Sequence, residues 1–72
     1  MQLADVLQEA KLPPLEGEVL LAAAMGESRT WVLAHGEEKI DKRRSSQFGS
    51  WVSRRRKHEP IAYILGEKEF YG

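Results

Sequence analysis

Residues 54–72, RRRKHEPIAYILGEKEFYG, decide the fold class of this chain. Arg54, Arg55, Arg56 and Lys57 place four cations in a row, where the carbonyl end of a helix carries partial negative charge. The step Glu59-Pro60 then breaks the helix, because proline lacks an amide proton and biases the residue before it away from helical angles. Pro60 is well placed to open a further helix, since its missing donor would be unpaired in the first turn anyway. Ile61, Tyr63, Ile64 and Leu65 make that helix short and apolar, and Gly66 ends it. Glu67 to Tyr71 read as a weak extended segment that finishes on the aromatic pair Phe70 and Tyr71. A strand starting at the final residues has no partner in the sequence, so residues 67–72 are expected to begin a connection to a further domain.

Working back from that stretch, the long helix it closes should run from a cap at Asp41 to about His58. Its apolar residues are Phe48, Trp51 and Val52, a narrow stripe, so most of this helix should face water. A third, short helix is expected after Ser28, a plausible cap, with Gly36 closing it after His35. Trp31 in that helix is expected to be a principal core residue, because an indole buries more area than any other side chain here. A second helix, from about Leu15 to Met25, is apolar on most faces, which suits a central position in a small bundle. Gly26 supplies the left-handed residue that commonly ends a helix, and Gly17 weakens the first turn mildly. The first helix should span about Gln2 to Lys11, with Leu3, Val6, Leu7 and Ala10 at the spacing of one apolar stripe. Pro13 and Pro14 stop it. The expected architecture is all-α: a bundle of about five helices over residues 1–66, with a short extended tail.

Composition agrees with a small soluble domain. The 72 residues are 42% hydrophobic and 31% charged, which argues against disorder. A chain of this length buries roughly 60% of its unfolded surface, so its stability is expected to be modest. There are no cysteines, which excludes a disulfide framework and a thiolate metal site. The longest apolar run, Val19 to Met25, is too short to span a membrane, and Asp5 and Glu9 interrupt the only candidate signal segment. A cytoplasmic location is the default expectation.

The net charge of zero conceals an uneven distribution. Residues 1–38 balance to −5, residues 39–58 to +7, and residues 59–72 to −2. The basic stretch holds Lys42, Arg43 and Arg44 at one helix end and Arg54, Arg55, Arg56 and Lys57 at the other. Three readings fit: a solvated face with helix-end complementarity, a surface for a protein partner or neighbouring domain, and a basic helical module that binds nucleic acid. The last is the weakest, because no aromatic is interleaved within the cluster for base stacking. Arg54, Arg55, Arg56, Phe70 and Tyr71 are the candidate partner or interdomain contacts.

Catalytic signals are thin. His35 and His58 lie beside helix ends without a spaced carboxylate, which makes neither a metal site nor an acid–base pair. Ser45 and Ser46 lack an activating base, and the glycines do not form a phosphate-binding loop. No catalytic, cofactor or metal residue is assigned.

The motifs also carry a resemblance. Arg54 to Arg56, Glu59 to Ala62, Ile64 to Gly66 and Glu69 to Tyr71 resemble the end of the amino-terminal domain of the HemK/PrmC family, methyltransferases that modify a glutamine in peptide-chain release factors. Upstream, EGEVLLAAAMGESRTWVLAHGE (residues 16–37) is similar to the family's leucine-rich second helix and the segment after it, through Leu20, Leu21, Gly26, Ser28, Arg29, Thr30 and Leu33. Gly17 departs from the alanine more usual there. The family's Asn-Pro-Pro-Tyr substrate motif and glycine-rich S-adenosylmethionine loop belong to a following Rossmann-like domain and do not occur in this sequence. The resemblance implies a non-catalytic, substrate-recognising helical domain. Its implied partners are a release factor and a methyltransferase domain, the latter carrying the S-adenosylmethionine.

Overall fold

In the computed structural model, which describes residues 1–66, the chain forms five helices: α1 (Leu3–Ala10), α2 (Pro14–Met25), α3 (Arg29–Ala34), α4 (Lys42–Arg56) and α5 (Ile61–Gly66). The all-α expectation holds, with each helix within a few residues of its predicted place. The expected tail, including Phe70 and Tyr71, lies outside the described residues.

Helix α2 is the axis of the bundle and packs against each of the other four. Its sequence explains this, since apolar residues occupy most of its faces and Glu16 and Glu18 are its only charged side chains. Leu20, Leu21, Ala22 and Ala23 are all buried, and the alanines let neighbouring helices approach. Gly17 is buried as well: a Cβ there would lie 3.4 Å from Leu7 Cδ2. The position is therefore a close approach of α1 and α2 as well as a propensity defect.

Helix ends follow local chemistry. Gly26, at φ 72°, ends α2; its amide donates to the Ala23 carbonyl and that of Glu27 to the Ala22 carbonyl, a Schellman closure. Ser28 caps α3, its Oγ accepting from the Trp31 amide at 3.0 Å. Asp41 occupies the N-cap position of α4 but its side chain accepts no capping bond. Instead its Oδ1 lies 3.7 Å from Arg44 Nη1.

One long-range feature has no counterpart in the sequence patterns. Met1 to Ala4 run antiparallel to residues 36–40, with an isolated bridge between Gln2 and Lys39. The Leu3 amide donates to the Glu38 carbonyl at 2.8 Å, the Ala4 amide to the Gly36 carbonyl at 3.0 Å, and the Ile40 amide to the Met1 carbonyl at 3.0 Å. Two first-turn donors of α1 are thereby satisfied although Gln2 provides no side-chain cap. The same pairing carries Ile40 into the core.

The placement of the tryptophans corrects the expectation. Trp51 is 2% exposed and is the largest fully buried side chain among the described residues. Trp31 is only partly buried at the edge of the core. Helix α3 has just six residues and buries Val32. Its tryptophan turns aside and stacks on His35, ring centroids 4.1 Å apart at 15°. Phe48, Trp51 and Val52, the narrow stripe of α4, are all buried in the core, and α4 packs against α2. A narrow stripe suffices when it points at the centre.

Candidate partner-binding surface

The arginine run at the end of α4 is engaged within the domain, each member through its own set of hydrogen bonds. Arg54 donates through Nε and Nη2 to Glu59 Oε1 at 3.1 and 2.8 Å. Arg55 grips the Glu16 carboxylate with two bonds, Nε to Oε1 at 3.0 Å and Nη2 to Oε2 at 3.2 Å. Its Nη1 also donates to the Glu59 carbonyl at 2.9 Å. Arg56 Nη2 donates to the carbonyl of Ala10 at the end of α1.

One of these contacts serves the end of another helix. The last carbonyls of a helix lack partners within it, and a cation nearby satisfies them and opposes the negative pole. Arg56 does this for α1. The end of α4 itself closes through a Schellman arrangement, with the His58 amide donating to the Arg55 carbonyl and the Glu59 amide to the Arg54 carbonyl. His58 takes the left-handed conformation this requires, at φ 69°. That turn brings Glu59 back beneath Arg54 and Arg55. The hydrogen bonds from Arg55 hold the Glu16 carboxyl below its ordinary range. Those from Arg54 do the same for Glu59, and Lys57 adds a smaller electrostatic contribution.

Of the candidate contacts, Arg54, Arg55 and Arg56 thus share one corner of the bundle, while Phe70 and Tyr71 fall outside the described residues. The sequence reading did not single out Glu16 or Glu59 as the arginines' partners. Glu59 was within reach of sequence reasoning, as an acid just beyond a helix break that folds back on the preceding cations. Glu16 was not, being 39 residues from Arg55.

The opposite end of α4 differs. Lys42, Arg43 and Arg44 are exposed, and among the described residues Arg44 makes a loose contact to Asp41 at 3.7 Å. Beside them lies an open depression of about 480 Å³ between the end of α2 and the start of α4. A second groove, of about 290 Å³, runs between α1 and α4 over Val6, Ala10, Phe48 and Val52. His35 is held by its stacking on Trp31 and by its Nδ1, 2.7 Å from the Trp31 carbonyl. Among the described residues no cluster of three potential metal ligands occurs. No helix among them is long and apolar enough to cross a membrane.

Comparison with known proteins places this geometry. The family described as the PrmC N-terminal domain matches residues 1–66. The release factor glutamine methyltransferase of Pseudomonas aeruginosa is 36% identical over 74 residues, covering 96% of this chain and 27% of that protein. The enzyme of the same name from Bordetella pertussis is 37% identical over 70 residues, covering 97% and 26%. That from Haemophilus influenzae is 47% identical over 57 residues, covering 79% and 20%. The chain spans about a quarter of the length of these curated relatives. No solved structure matches it. With a family match from the first residue of α1 to the last of α5, the chain belongs to the PrmC N-terminal domain family.

Proposed function

We propose that this domain is the substrate-recognition part of a release factor glutamine methyltransferase. It binds the peptide-chain release factor so that a separate methyltransferase domain, supplied with S-adenosylmethionine, can methylate the glutamine of the release factor's GGQ motif. The observation that carries this reading is the family match across residues 1–66. Relatives named for that activity extend well beyond the region they share with this chain. In this reading the domain is non-catalytic and works in the cytoplasm, where release factors act.

The architecture suits recognition. The described core is wholly apolar, so the charged and polar side chains remain at the surface, where a partner can meet them. The surface itself offers shallow, open depressions rather than an enclosed pocket. Arg54, Arg55, Arg56, Phe70 and Tyr71 are proposed as contacts to the neighbouring domain. Because Arg54 and Arg55 already engage Glu59, just ahead of α5, their part in that contact is to fix the turn that leads into the bundle's last helix.

Isothermal titration of the 72-residue chain with purified release factor tests the reading. Saturable binding is expected, with no methyl transfer when S-adenosylmethionine is added. Methylation of the release factor by this chain alone, or absence of binding, overturns it.

A further inference from the structure

We propose that the start of α4, together with the depression it shares with the end of α2, is a docking surface for an acidic protein segment. The proposal rests on the recognition role for the partner being a protein. It adds where that partner sits and what chemistry it carries.

The observation is the contrast between the two basic ends of one helix. At the far end, Arg54, Arg55 and Arg56 are engaged by Glu59, Glu16 and the Ala10 carbonyl. At the near end, Lys42 and Arg43 have no ion pair among the described residues, and Arg44 reaches Asp41 only at 3.7 Å. Cations in a first turn also face the positive pole of their own helix, so they work against the fold that carries them. Internal stability accounts for the arginines at the end of α4 and not for the cations at its start.

The neighbouring depression adds an apolar component. Its lining includes Ala23, Ala24 and Met25 from α2 and Arg43, Arg44 and Gln47 from α4, with one acid, Asp41, which faces Arg44 at 3.7 Å and leaves Arg43 for a partner's carboxylate. A segment with carboxylates flanking an aliphatic side chain fits this arrangement. The aliphatic group covers the alanines while the carboxylates take charge-assisted bonds from the cations. Nucleic acid fits less well, because no aromatic side chain lines the depression to stack on a base.

The test measures binding of a fluorescein-labelled peptide of glutamates with leucine at every third position. Its counterpart carries serine in place of leucine, and oligouridylate serves as the nucleic-acid probe. The Lys42→Glu/Arg43→Glu chain should bind the leucine peptide at least about tenfold more weakly, and binding by the unaltered chain should weaken as salt rises from about 50 to 300 mM. The Lys11→Glu/Lys57→Glu chain, altered by the same charge elsewhere, should bind within about twofold of the original. The serine peptide should bind more weakly than the leucine peptide. The reversal puts acids where the helix pole favours them, so an unchanged melting temperature or a higher one establishes that the variant is folded.

Equal losses in the two double variants overturn the proposal, as does preference for oligouridylate over the peptide. Release factor separates this proposal from the broader reading. If it binds the Lys42→Glu/Arg43→Glu chain as tightly as the original, the surface is wrong and recognition stands. If it binds neither chain while the peptide distinguishes them, the surface stands and release-factor recognition falls.

Discussion

Replacing Trp51 and Trp31 in turn separates the observed core from the one that side-chain size suggests. Trp51 is 2% exposed, so alanine there removes nearly a whole indole from the centre of the bundle. Roughly 200 Å² of lost burial corresponds to about 5 kcal/mol, and truncations of large buried aromatics cost about 3–5 kcal/mol. A domain of this length has a total stability of about 4–11 kcal/mol. Trp51→Ala should therefore leave the chain largely unfolded at 25 °C or lower its melting temperature by at least about 15 °C. Trp31 is partly exposed and its distinctive contact is the stack on His35. An aromatic contact of this kind is worth about 0.5–1.5 kcal/mol beyond area burial, so Trp31→Ala should cost about 1–3 kcal/mol and leave a cooperative transition. Thermal and urea unfolding followed by circular dichroism measures both. The single-tryptophan variants Trp31→Phe and Trp51→Phe provide an independent readout: the emission of Trp51 should be blue-shifted and shielded from acrylamide, and that of Trp31 less so. A loss for Trp31→Ala equal to or greater than that for Trp51→Ala refutes the packing described here.

Three further outcomes follow from the helices and the ion pairs. Gly49 is exposed inside α4 and a Cβ there meets nothing within 4 Å, so Gly49→Ala should stabilise the chain by about 1 kcal/mol in urea unfolding; destabilisation would mean that the site is not open. His58→Gly relieves a left-handed non-glycine residue and should add about 0.5–1 kcal/mol by the same measurement, an unchanged or lower stability counting against the closure of α4. Glu16 and Glu59 both titrate below their ordinary value of 4.5 when folded, so their pairing contributes fully above that pH. It fades as the pH falls through the folded values, because the unfolded chain takes up protons first. The melting temperature should therefore drop on acidification below pH 4.5, less steeply in Glu16→Gln; an identical slope in both chains would remove Glu16 from the linkage.

What the sequence discloses depends on how local the cause is. Pro13, Pro14, Gly26, Ser28 and Pro60 mark helix limits through their own backbone or capping chemistry, and the structure puts the boundaries close to them. The antiparallel contact of Met1 to Ala4 with residues 36–40 uses main-chain groups alone, so no side-chain periodicity announces it. Ile40 stands outside every helix, beside that contact, and is buried in the core. Trp31 and Trp51 show the same limit at the level of packing. Size ranks what a residue gains by burial, but the direction in which a six-residue helix turns is set by the elements around it. The candidate arginines were legible as a group. Their division among three partners was not, since Glu16 is distant in the chain and Ala10 offers only a carbonyl.

That division follows from helix geometry. Successive residues of an α-helix are rotated by about 100°, so three consecutive arginines at the end of α4 leave it in different directions. Arg54 and Arg55 meet the turn at Glu59, Arg55 also reaches the first turn of α2, and Arg56 reaches the last turn of α1. Lysine could not substitute fully, because the two parallel bonds of Arg55 to Glu16 and its third bond to the Glu59 carbonyl require a planar fork. The arginines of the stretch that carries the family resemblance are thus occupied with holding α1, α2 and the turn before α5 to one helix end. The cations at the opposite end of α4, where Lys42 and Arg43 have no ion pair among the described residues, are therefore the groups on that helix that we propose meet a partner.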